Sequence, residues 1–134
     1  MTFNAKTIKF IIGFCILGFA FLFVTYLSGC IIIGKHVREY CEDAQSRYPG
    51  DCVQALEARV MDEGSSYKDR NSAIWAIGQL GDARAIETLN EIETQAEERT
   101  MQTCRLSDEI CAYEIFKAKK LVEGGFNATA WVWR

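Results

Sequence analysis

From Phe10 to Gly34 the chain runs for 25 residues without a charged side chain, and a helix over this run would be apolar on every side. Such a helix is ~37 Å long at ~1.5 Å per residue, against a hydrocarbon core of ~30 Å. A domain this small has no interior able to hide a helix apolar all round, so the run predicts a tilted transmembrane helix. Beyond Lys35 the pattern changes from a block to stripes. Ala73, Ala76, Ile77 and Leu80 stand at i, i+3, i+4 and i+7 on one helix face, and Gly81 follows as a C-cap. Asp82 is placed to cap a second helix whose own stripe is Ala85, Ile86, Leu89 and Ile92. The result is a helix hairpin with a very short turn.

The hairpin has an echo upstream. Gly50-Asp51 precedes Gly81-Asp82 by 31 residues, a spacing within the range of helical repeats. Val37–Tyr48 and Asp51–Glu63 therefore read as an earlier, degenerate hairpin. Downstream, Ser107 is expected to cap a third stretch, with Cys111, Ile115, Ala118 and Val122 on one face and Gly124-Gly125 at its end. No long run alternates with period two, and Trp131-Val132-Trp133 is the only strand-like fragment. The fold class is all-α.

"DRNSAIWAIGQLGDARAIETL", Asp69–Leu89, resembles the bacterial HEAT repeat, including the HEAT-like variant of phycobilisome lyases. Asp69, Arg70, Ala73, Ala76, Ile77 and Gly78 carry the resemblance in the first helix. Leu80, Gly81, Asp82, Ala85, Ile86 and Leu89 carry it through the turn and the second. The resemblance implies a short α-solenoid of stacked helix pairs that binds other proteins. It also implies an ion pair between Arg70 and Asp82, near the turn. The flanking segments depart from the family pattern through Pro49, a lengthened linker before the third unit, and the cysteines. The organisation expected is a basic head over 1–9, a transmembrane helix over 10–34, a HEAT-like repeat domain over 35–125 and an aromatic tail over 126–134.

Charge sharpens the membrane reading. Lys6 and Lys9 are the only charged side chains before Lys35, while all 18 Asp and Glu lie between Glu39 and Glu123. Residues 35–134 carry 13 Lys and Arg, a net of −5, which excludes a broad basic footprint for nucleic acid. A short basic head before an apolar run is the usual start of an exported chain, so the N-terminus is placed in the cytoplasm and the domain outside it, periplasmic or extracellular. Leu27-Ser28-Gly29-Cys30 offers an alternative anchor, since it resembles a bacterial lipobox that would lipidate Cys30 after cleavage at 29. Against it stand the length of the apolar run before Ser28 and the three isoleucines, Ile31 to Ile33, where a mature lipoprotein usually has a polar tether. An uncleaved signal-anchor is the expectation.

Cys41, Cys52, Cys104 and Cys111 lie in the polar part and suggest disulfides in an oxidising compartment. They allow three connectivities, of which nearest-neighbour pairing is expected. Loops of about ten residues would each contribute ~2–3 kcal/mol.

Chemistry is sparse. His36 is the single histidine and sits at the membrane edge, so neither a Ser-His-Asp set nor a histidine-rich metal site can form. Glu87, Glu91, Glu97 and Glu98 read as a solvated face, and no glycine-rich phosphate loop occurs. No catalytic activity, cofactor or small-molecule substrate is expected. Trp75 lies off the main stripe of its helix, where it reads as a contact between neighbouring repeats or as an anchor for a partner protein. Trp131 and Trp133 belong to a tail that either caps the open end of the stack or touches the membrane interface. The function expected is a membrane-held module that binds another protein. A lyase or chaperone accessory, or a subunit of a membrane complex, is the alternative.

Overall fold

The computed structural model of the protein describes residues 5–96 and 108–130, with side chains from Ile8 onward. Ser107, Cys104, Trp131 and Trp133 lie outside the described residues. Among the described residues five α-helices follow one another: α1 (Ala5–Gln45), α2 (Cys52–Met61), α3 (Tyr67–Leu80), α4 (Ile86–Glu93) and α5 (Ala112–Val122). A 3-10 turn, Ala83–Ala85, leads into α4, and no strand occurs among the described residues.

The stripe pattern of the sequence separates a membrane helix ending at Gly34 from a domain helix starting at Val37. The structure joins them into one helix of 41 residues, ~60 Å long. No Ser, Thr, Asp or Asn stands between Cys30 and Glu42 to cap a new start, and Gly34 alone costs only ~1 kcal/mol against Ala. Lys35 and Glu39 also pair across one turn at 3.7 Å. The helix ends where Ser46 turns back to the Asp43 carbonyl, three residues before Pro49. Its first half is long and apolar enough to cross a membrane, with an 18-residue window of mean hydropathy 2.5 that is not buried anywhere. From Cys30 onward one stripe, Cys30, Val37, Cys41 and Ala44, turns inward. The opposite face stays open at Ile31 and Ile32.

Helix α3 occupies the centre, packed between α2 and α5, and α1 lies across α2 and α3. Leu56, Ile74, Ile77, Leu89, Ile92 and Ile115 are fully enclosed. Each such side chain contributes ~1.5–3 kcal/mol by leaving water. Gly81 ends α3 in the left-handed conformation, φ 58° and ψ 33°, and its N–H donates to the Ile77 carbonyl. Asp82 then accepts from the Arg84 N–H and starts the 3-10 turn. The tight corner read from Gly81-Asp82 is therefore present. The eight-residue α4 that follows comes nearest to α5 and α2, and its Leu89 and Ile92 join Ile74 and Ile77 of α3 in one core.

The third stretch starts later than the sequence suggests. Asp108–Ile110 is not helical, and α5 begins at Ala112 with Cys111 as its N-cap. The cause is Asn71 of α3, which is buried. Its Nδ2 donates to the Glu109 carbonyl at 2.7 Å, and its Oδ1 accepts from the Cys111 N–H at 2.9 Å. Backbone groups that an earlier helical turn would use are thereby held by a side chain from another helix. Glycine sets the closest approach in the core. A Cβ on Gly78 would stand 2.7 Å from the Ala118 Cα, so α3 and α5 touch backbone to backbone there. Gly78→Ala is expected to force these helices apart and cost ~1–3 kcal/mol in the denaturant unfolding of the full chain in detergent. Ala118→Gly in the same chain should recover part of that loss; an unchanged unfolding midpoint in the single variant would contradict the contact.

Candidate functional site

The polar chemistry of the molecule gathers where α1 meets α2. Cys41 and Cys52 form a disulfide across the Pro49-Gly50 turn, with Cα atoms 5.0 Å apart. Cys111 is also disulfide-bonded, and Cys104, its nearest neighbour in sequence, lies outside the described residues. Cys15 and Cys30 are free thiols, the first exposed and the second buried. Next to the α1–α2 bridge Arg59 is sealed inside, 2 % exposed. Its Nη1 meets Asp43 of α1 at 2.6 Å, its guanidinium lies 6.0 Å from the Tyr48 ring, and its Nε and Nη2 have no hydrogen-bond partner among the described residues. Tyr48 in turn donates to the Asp62 carboxylate, which also receives the Ser65 hydroxyl and the Gly64 N–H.

The repeated Gly-Asp corners are tied to each other. Asp51 closes a capping box with Gln54 at the start of α2. Arg84 bridges this carboxylate, at 2.7 Å, to that of Asp82, at 2.8 Å. The sequence offered Arg70 as the partner of Asp82, and the structure corrects this. Arg70 is buried and donates from Nε to the Val60 carbonyl at 2.7 Å, capping the C-terminal end of α2, where backbone carbonyls lack partners. A second, longer contact at 3.4 Å reaches Gln95. Arg84, two residues from Asp82, takes the place assigned to Arg70 because it is on the same corner.

Trp75 is half-buried and packs edge-on against Tyr40 of α1, with ring centroids 6.0 Å apart at 76°. It therefore makes the helix-to-helix contact, yet it also borders two shallow hollows. One, about 200 Å³, lies between Tyr40, Ser72 and Glu114; the other, about 70 Å³, lies toward Gln79 and Lys117. Tyr113 and Phe116 of α5 are exposed. A polar hollow of about 710 Å³ lies between Ser66, Arg70 and Glu109. His36 is exposed, and among the described residues no three His, Cys, Asp or Glu side chains gather as a metal set.

The start of the tail folds back onto the helices. Asn127 donates to the Gln79 side chain at 3.1 Å, Tyr26 of α1 donates to the Ala128 carbonyl at 2.6 Å, and Ala130 is buried. Phe126 is 91 % exposed. The segment leading to Trp131 and Trp133 is pinned to α1 at Tyr26.

Sequence reasoning overlooked Arg59, Asn71 and Arg84. Arg59 carried a signal, since it sits in the inward stripe with Ala55, Leu56 and Val60. Asn71 carried little, as its partners are two backbone groups about forty residues away.

Breaking the Asp43–Arg59 pair leaves a sealed charge uncompensated. Asp43→Ala is expected to cost roughly 2 kcal/mol, less than the 3–5 of a wholly buried pair because Asp43 is half in water. Arg59→Met removes charge and pair together and should cost less than Asp43→Ala in the same unfolding titration; the reverse order would contradict this. Acid tests the caps. The Gln54 N–H, and then Arg84, hold the Asp51 carboxyl below its ordinary 3.8; the Tyr48 hydroxyl, then the Gly64 N–H, do the same for Asp62. A carboxyl lowered by folding stabilises fully above the unfolded value, and this contribution is lost as pH falls through the folded one. The unfolding midpoint should stay level down to about pH 5 and drop below about pH 4, with a shallower drop in Asp51→Asn and Asp62→Asn. Identical acid profiles in both variants and the parent would rule the caps out as its source.

No curated protein and no solved structure matches the chain. Residues 69–92, which cover most of α3, its Gly81-Asp82 corner and most of α4, match the family described as the PBS lyase HEAT-like repeat, and this part of the chain is similar to it.

Proposed function

We propose that the protein is a membrane-anchored helical-repeat module that presents a surface to another protein and has no catalytic activity of its own. The observation that carries this reading is the continuity of α1, in which an exposed apolar half passes without a break into a helix of the domain core. The apolar run of ~37 Å fits a ~30 Å hydrocarbon core at a tilt of roughly 35°, within the usual range. The Cys41–Cys52 disulfide supports an oxidising side for the domain, hence a cytoplasmic N-terminus. Burial of Cys30 supports an uncleaved anchor. Cleavage ahead of it would remove Tyr26, which holds the Ala128 carbonyl.

In this reading the helix pairs are the start of an α-solenoid, of which two or three units are near the minimum that is stable alone. The surface around Trp75, Tyr113 and Phe116 is the docking face, since half-exposed aromatic side chains on rigid helices are the usual anchors of a protein interface.

The full chain, expressed in a cell with an exporting membrane, is expected to resist alkaline carbonate extraction and to lose its domain to protease added from the extracytoplasmic side. Its intact mass should equal the whole chain less two protons per disulfide. In intact membranes, crosslinking should join it to one recurrent protein, and Phe116→Ala, at an exposed position of this face, should lose that adduct while keeping the melting temperature. Carbonate-soluble protein would end the anchor reading. Loss of residues 1–29 with added acyl mass would replace the span with a lipid on Cys30, and an unchanged adduct in Phe116→Ala would move the docking face elsewhere.

A further inference from the structure

A groove of about 510 Å³ runs along α1 just beyond its fully exposed part. Ile31, Val37 and Leu80 form its walls, and the Cys41–Cys52 disulfide closes its far end. Lys35 and Arg38 stand at its rim. The groove continues a path already on the helix. Val24, Ile31 and Arg38 are seven residues apart, two turns each, and so share one side of α1. Val24 and Ile31 are 61 % and 62 % exposed, so the path is apolar and open until it reaches the two cations. Charge is ordered along the same helix, with Lys35 and Arg38 first and Glu39, Glu42 and Asp43 after them. Lys35 shares its charge with Glu39 at 3.7 Å, whereas Arg38 has no ion pair among the described residues.

Resting on the membrane-spanning reading above, we propose that this groove binds one anionic phospholipid. An acyl chain lies along Val24 and Ile31 within the bilayer. The glycerol region seats between Val37 and Leu80, and the phosphate meets Lys35 and Arg38. Depth fits this placement. Lys35 is four residues past Ile31, ~6 Å along the helix, and the headgroup layer adds ~5–7 Å to each side of the hydrocarbon core. A soluble ligand has no reason to favour a groove whose apolar wall runs on into the membrane span. A lipid is held at that depth from the outset. One net positive charge, two cations against Glu39, selects an anionic headgroup over a zwitterionic one.

The test uses the full chain, inserted into vesicles of equimolar phosphatidylcholine and phosphatidylglycerol and then released into mild detergent for native mass spectrometry. Carbonate resistance of the vesicles is measured first. The wild-type chain is expected to retain one phosphatidylglycerol in preference to phosphatidylcholine by a factor on the order of ten, as one to two surface cations would give. Lys35→Gln with Arg38→Gln should bring the two lipids to equal retention. Leu80→Trp, which fills the groove and leaves both cations, should lose the bound lipid while circular dichroism keeps its helical signal. Glycerol 3-phosphate in excess should not displace the lipid.

An inserted chain that retains both lipids equally, or whose preference survives the double substitution, overturns the groove and leaves the span intact. Retention unchanged in folded Leu80→Trp, or displacement by glycerol 3-phosphate, overturns it too, by showing attraction to charge alone. Failure to insert removes the span and the lipid site together. If Leu80→Trp does not fold, the double substitution decides.

Discussion

One face of α1 has to satisfy two surroundings. Its first half is apolar and exposed on all sides, and its second half must bury Cys30, Val37, Cys41 and Ala44 against the repeat. The helix does both because nothing between Cys30 and Glu42 caps it, so the backbone stays hydrogen-bonded through the crossing point. The rest of the molecule depends on this rod. α2 is closed onto it by a disulfide and by Arg59, Trp75 of α3 packs on its Tyr40, and the tail is tied to its Tyr26. A core this small gains little from hydrophobic burial alone. A covalent bridge and sealed polar contacts supply what the few buried isoleucines and leucines do not.

The polar contacts divide by their surroundings. Arg84 joins Asp51 to Asp82 in water, where the bridge fixes the geometry of two corners more than it adds stability. Arg59, Arg70 and Asn71 are enclosed, and each reaches a different element: α1, the end of α2, and the entry to α5. These three determine how the helices are set against each other. They sit on or beside the central pair α2–α3, so neither neighbour can shift without leaving a buried donor unpaired.

Much of the helical plan was legible in the chain. Stripes at helical spacing located α2, α3 and α4 to within a few residues. Gly81 marked the left-handed corner because glycine alone adopts that backbone without strain, and Asp82 marked the cap. What could not be read was set by tertiary contact. The fusion of the apolar run with the first domain helix left no local mark, since a missing cap is weaker evidence than a present one. The late start of α5 depends on Asn71, distant in sequence. The Arg70–Asp82 pair was inferred from a family resemblance, and Arg70 instead found a nearer carbonyl at the end of α2. The candidate surface was legible only through its aromatic side chains: Trp75 announces itself by type, whereas the groove at Lys35 and Arg38 exists only once α3 brings Leu80 alongside α1.

The continuity of α1 is open to direct measurement by a spin–spin distance between labels at Ile12 and Glu42 in the bilayer-inserted chain, with Cys15 and Cys30 replaced by alanine. Thirty residues of unbroken helix place the two backbones ~45 Å apart, so a single narrow distribution near that distance is expected. A broad distribution centred well below ~40 Å would mean that the helix bends or ends between membrane and domain, and that the two halves are separate elements joined by a hinge.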